Sequence, residues 1–141
     1  MLLSTMTRYP HRNDGARNQK RRARMNENEI VMIATFPNIP EENVAAFTAA
    51  VAESLDAVRT EKGNLQYDWF MDDDRSRCVV LERYRDAAAV VEHVGNVAEV
   101  LPRLAQLGGG VEIDVLGTLP ADLHAALESR VRAIHGLVAG K

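Results

Sequence analysis

The 141-residue sequence is 46% hydrophobic and 26% charged, the make-up of one globular domain with its own core and too little chain for two. Its single cysteine, Cys78, excludes an intramolecular disulfide framework and suits a reducing cytoplasm; no apolar run has signal or membrane-spanning length, so a soluble chain without a membrane partner is expected. The net charge of −3 is unevenly spread, because residues 1–28 hold seven bases (Arg8, Arg12, Arg17, Lys20, Arg21, Arg22, Arg24) against Asp14 and Glu27.

That basic stretch is too poor in apolar residues to offset its ordering entropy, and a disordered N-terminal arm over 1–28 is expected. Its charge suits a phosphate backbone or an anionic lipid, but a solvated leader is the plainer reading, and nucleic acid is not expected among the partners. Met25 or Met32 is a candidate physiological start, which would leave the basic arm outside the translated chain.

From Ile30 the composition changes. Ile30 to Phe36 is a branched apolar run of strand length, ended by Pro37 and Pro40. Val44, Phe47, Val51, Leu55 and Val58 then fall on one stripe of a helix from about Glu41 to Thr60, with Glu41 and Glu42 in its first turn and Gly63 after it. Two strands, Leu65 to Met71 and Cys78 to Tyr84, flank the turn-forming Asp72 to Arg77 and predict a hairpin. Asp86 caps a second helical region carrying Val90, Val94, Val97, Leu101 and Leu104, broken near Gly95-Asn96, with Pro102 marking a restart.

Val111, Ile113 and Val115 alternate with Glu112 and Asp114, which predicts an edge strand with one wet face. Pro120 introduces Leu123, Leu127, Val131, Ile134 and Val138 at helical spacing, so an amphipathic helix is expected over 120–141, packed on the domain or on a partner subunit. Residues 29–119 thus read as a βαββαβ domain, an α+β ferredoxin-like fold with an antiparallel sheet in the order 4-1-3-2. Helices cover one face of such a sheet, and Met32, Val80 and Trp69 suggest that a second sheet, in a homodimer, covers the other.

The segments Glu61-Lys62-Gly63-Asn64-Leu65-Gln66-Tyr67-Asp68 and Val80-Leu81-Glu82-Arg83-Tyr84-Arg85-Asp86, followed by His93, resemble the antibiotic biosynthesis monooxygenase family, over roughly Ile30 to Gly117. The resemblance implies a dimeric α/β barrel with a mostly apolar pocket between sheet and helices in each subunit. It also implies oxidation of phenolic or quinol-type polycyclic molecules by dioxygen, with neither metal nor flavin as cofactor. One departure stands out: many relatives carry a second histidine about five residues after the first, and His93-Val94-Gly95-Asn96-Val97-Ala98 has none.

Oxygenation without a cofactor needs a base to ionise a phenol, a dry pocket and donors for the developing oxyanion. His93 is the candidate base, bordering the apolar stripe of its helix; the plain alternative is a core histidine with a satisfied hydrogen bond. Glu82 shares strand parity with Cys78, Val80 and Tyr84, so it is either a tuned proton carrier or one half of an ion pair with Arg83 or Arg85. Tyr67 and Trp69, two residues apart, either sandwich a flat substrate ring or pack the core. Asn64 and Asn96 supply amide donors near element ends, and Asn96 joins the candidate binding set.

No metal site is expected. Asp72-Asp73-Asp74 lacks the rest of a calcium loop, and His124 and His135 would lie about 16 Å apart on one helix. Three functions remain open: a cofactor-independent monooxygenase, a non-oxygenase isomerase or small-metabolite binder using the same pocket, and a dimeric interaction module whose basic arm contacts nucleic acid.

Overall fold

The computed structural model describes residues 27–141, so nearly all of the basic arm lies outside the described residues. The chain runs β1 (Ile30–Phe36), a 3-10 turn (Glu41–Asn43), α1 (Val44–Ala57), β2 (Asn64–Met71), β3 (Cys78–Tyr84), α2 (Ala87–Asn96), α3 (Val100–Leu107), β4 (Glu112–Leu116), α4 (Ala121–Leu127) and β5 (Val131–His135). The expected α+β fold is the one observed, and the sheet order β2-β3-β1-β4-β5 contains the expected 4-1-3-2 arrangement.

Local chemistry sets the boundaries. The Asp86 side chain accepts from Ala89 N–H at 2.9 Å and starts α2; that bond holds the Asp86 carboxyl below the usual carboxylate range. The second helical region divides between Asn96 and Val100, and Pro102 falls in the first turn of α3, where a missing N–H costs nothing. In the β2–β3 hairpin Asp74 accepts from the backbone and hydroxyl of Ser76, at 3.0 and 2.6 Å.

Burial alternates strictly along β1 and β3, and the inner parity packs Ile30, Phe36, Val80 and Tyr84 against Phe47 and Val90 of the helices and Leu104 of α3. On α1 the buried line is Phe47, Ala50, Ser54 and Val58, whereas Leu55 is 44% exposed. The stripe turns away from Leu55 because the Ser54 hydroxyl has a partner inside, the phenol of Tyr67 at 2.7 Å.

Three expectations are corrected. The C-terminal helix stops at Leu127; residues from Val131 form β5, parallel to β4, so the tail extends the sheet rather than packing as a helix across it. β4 is therefore not an edge, and its outward acids have a use: the Arg132 guanidinium of β5 holds Asp114 and lies 3.8 Å from Glu112, while His135 Nε2 lies 3.6 Å from Asp114. His124 and His135 accordingly belong to different elements.

A fourth correction concerns the sheet faces: Met32, Val80 and Trp69, expected to meet a second sheet, belong to the helix-covered side. The opposite side carries Val31, Ile33, Val79 and Leu81, all half-buried, together with Phe70, 55% exposed. No helix among the described residues is long and apolar enough to cross a membrane.

Candidate active site

A buried cluster of polar side chains sits where β2, β3 and α2 meet. His93, one turn past Val90 on the buried side of α2, places Nδ1 3.1 Å from Glu61 Oε2. Glu61 also accepts from Asn64 Nδ2 and Asn96 Nδ2, each at 2.9 Å. The side chains of His93 and Glu61 are 8% and 1% exposed, so this is an almost fully desolvated pair.

The close approach depends on Gly63. A Cβ there would sit 2.5 Å from Ala89 Cβ, so only glycine lets the loop after α1 lie against α2 and bring Glu61 to His93. A carboxylate accepts only, which makes Nδ1 the protonated nitrogen and leaves Nε2 with the lone pair.

Glu82 lies on the inner face of β3, as its parity predicts, but its partner is neither Arg83 nor Arg85. Tyr84 O–H donates to Glu82 Oε2 at 2.5 Å, while Arg83 pairs with Glu29 at 3.0 Å and Arg85 with Asp86 at 3.3 Å. Burial pushes the Glu82 carboxyl above its ordinary value, with His93 pulling the other way. Glu82 therefore makes stability no more pH-dependent while it is protonated in both states, and its burial weighs against folding increasingly as pH rises from the ordinary carboxylate value toward the raised one. Burial first, then the Glu82 charge, also raises the Tyr67 and Tyr84 phenols.

Tyr67 and Trp69 meet edge to face, with centroids 5.4 Å apart at 83°, so no flat ring slots between them. Trp69 stacks on Phe36 and meets Phe47 edge on, and Tyr67 lies 5.0 Å from the His93 ring. The Trp69 indole Nε1 is buried without a hydrogen-bond partner, an orphaned donor of the kind a ligand oxygen satisfies.

These groups line a cavity of about 40 Å³ whose wall includes Ser54, Tyr67, Trp69, Glu82 and His93, with Met32 and Ala34 from the sheet and Val90, Val94, Val97, Leu101 and Leu104 from the helices. The structure thus gathers four of the five predicted site residues. Asn96 is not in the cavity wall; it stands behind His93, bonded to Glu61. Glu61, the residue that orients His93, was no site candidate from sequence, although it opens the first segment of the family resemblance. Cys78 is a buried thiol pushed up to about 11 by burial, and no group of three His, Cys, Asp or Glu side chains among the described residues is arranged to hold a metal.

Residues 29–106 match the antibiotic biosynthesis monooxygenase family. The chain belongs to that family. Solved structures share its fold: MupZ from Pseudomonas fluorescens is 22% identical, covering 82% of this chain and 95% of MupZ with a TM-score of 0.65. Rv0793 from Mycobacterium tuberculosis is 27% identical over 65% of this chain and 96% of its own, at TM-score 0.57. An antibiotic biosynthesis monooxygenase is 21% identical over 64% of this chain and 99% of its own, at TM-score 0.56. No curated protein matches. The family match ends at 106, so β4, α4 and β5 lie beyond it.

Proposed function

We propose that this member of the family is a monooxygenase of a phenolic or quinol-type small molecule, using dioxygen with no organic cofactor or metal and working as a cytoplasmic homodimer. The observation that carries the reading is His93 in the wall of a mostly apolar cavity, held in one tautomer from behind by Glu61.

In this scheme His93 Nε2 takes the phenolic proton. The resulting anion gives one electron to dioxygen, the radical pair combines at an unsubstituted ring carbon ortho or para to the oxygen, and the His93 imidazolium returns its proton to the peroxide to form a hydroperoxide. Loss of water from that C–H hydroperoxide leaves a carbonyl, so one oxygen atom enters the product and the other leaves as water. Trp69 N–H supplies a donor to a substrate oxygen, and the Glu82 carboxyl, raised by burial, is the candidate to return a proton to the departing hydroxide.

Oxygen uptake by chelator-treated protein over a panel of naphthols and quinols tests the proposal. Consumption well above the protein-free autoxidation rate is expected, with isotope-labelled dioxygen giving one labelled atom in the product and the other in water. No uptake across the panel favours the isomerase reading, in which the same His93 base and Glu82 acid would enolise a carbonyl compound.

The dimer rests on the outer face of the sheet, where Ile33 and Leu81 are cross-strand neighbours and Phe70 adds exposed apolar surface. Leu81→Lys is expected to shift the protein from dimer to monomer in size-exclusion chromatography with light scattering. A wild-type monomer at micromolar concentration would contradict it.

A further inference from the structure

One wall of the cavity comes from outside the family match. α4 and the turn that follows it bring in Leu127, which is buried, and Arg130, which is half-buried. Among the described residues Arg130 is the one arginine that is not exposed and has no carboxylate partner. Arg83, the other half-buried arginine, holds Glu29, and the exposed Arg132 holds Asp114. A guanidinium partly withdrawn from water without a counter-charge is unfavourable, and its planar fork matches a carboxylate through two parallel hydrogen bonds.

The sheet fixes where the main chain of Arg130 stands, and its side chain reaches the cavity from there. Ile113 N–H donates to Arg130 O at 2.8 Å, and Ile113 pairs with Ala34, Ala34 with Val80, and Val80 with Trp69, so one row across the sheet leads from Arg130 to the unpartnered indole N–H. From β2 to β4 is three strand spacings, about 14 Å. His93, Glu82 and Tyr67 belong to the β2 and β3 side of that span, leaving Arg130 alone at the far side.

We propose that the pocket takes an acid: a flat hydroxyaromatic of about two fused rings that carries a carboxylate, with the hydroxyl toward His93 and Trp69 and the carboxylate paired with Arg130. The assignment rests on the reading of this cavity as the substrate site and names its substrate class. The cavity has room for a few waters at most, so such a ligand enters with an outward shift of the segment that carries Leu127 and Arg130.

Calorimetric titration in oxygen-free buffer at neutral pH, with a hydroxynaphthoate and with the naphthol that lacks its carboxylate, tests the assignment without turnover. The wild-type protein is expected to bind the acid about tenfold more tightly than the naphthol. Arg130→Gln removes that preference by weakening the acid far more than the naphthol, without lowering the melting temperature, and Arg130→Lys restores part of it. Equal affinities in the wild type, a preference that survives Arg130→Gln, or failure of both compounds to bind would overturn the acid subsite. The two readings separate cleanly: oxygen uptake with neutral naphthols and no acid preference leaves the oxygenase and removes the subsite, whereas an Arg130-dependent preference without oxygen uptake does the reverse.

Discussion

In a His93→Ala variant, oxygen consumption above the autoxidation rate is expected to fall by about 10²- to 10⁴-fold, the range set by loss of a positioned general base. The side chain is nearly sealed from solvent, so bulk buffer does not replace it readily. Its loss leaves the phenol protonated at neutral pH, where electron transfer to dioxygen is slow. The effect belongs in kcat more than in KM, since the ring also contacts Tyr67 and Tyr84 and the apolar wall is otherwise intact. Steady-state oxygen electrode measurements check this. A variant within about threefold of wild type would remove His93 as the base.

Glu61→Ala is expected to destabilise the fold by about 2 kcal/mol, because it strands the buried His93 Nδ1 and takes the acceptor from the half-buried Asn64 and the exposed Asn96. His93 Nδ1, Asn64 Nδ2 and Asn96 Nδ2 all lose their acceptor, and Asn64 Oδ1 has no partner to begin with. Glu61 acts through His93, so its catalytic signature is that of a positioning residue. Glu61→Gln, which keeps an acceptor oxygen but not the charge, should restore most of the stability. Its kcat should stay depressed with KM little changed, because the imidazolium formed during proton transfer loses its counter-charge. Urea denaturation alongside the kinetics separates the two effects, and an alanine variant as stable as wild type would show that the triple contact carries no weight.

Much of the fold was legible because long segments with one buried face impose their period on the sequence. The alternation of β3 put Glu82 inward, and the stripe on α2 put His93 beside the core. The tail was misread because Leu123, Leu127, Val131 and Ile134 fit helical spacing, while the choice of strand after Leu127 is made elsewhere. It depends on a parallel ladder to β4 and on Arg132 meeting Asp114, eighteen residues away. Glu61 was invisible for the same kind of reason: two of its three donors come from 32 and 35 residues along the chain. By contrast, the Tyr84 partner of Glu82 sits two residues on along the same strand face and could have been proposed from parity alone.

Trp69 is the only tryptophan in the chain, and it stands in the cavity wall, stacked on Phe36. The intrinsic emission of the protein therefore comes from one spot rather than from an average over the molecule. A quinone held against that wall is an efficient acceptor of the excitation, whereas a phenol is a poor one. Substrate arriving and product leaving would thus mark the same spectrum in different ways, and the protein carries, unlabelled, an optical record of its own turnover.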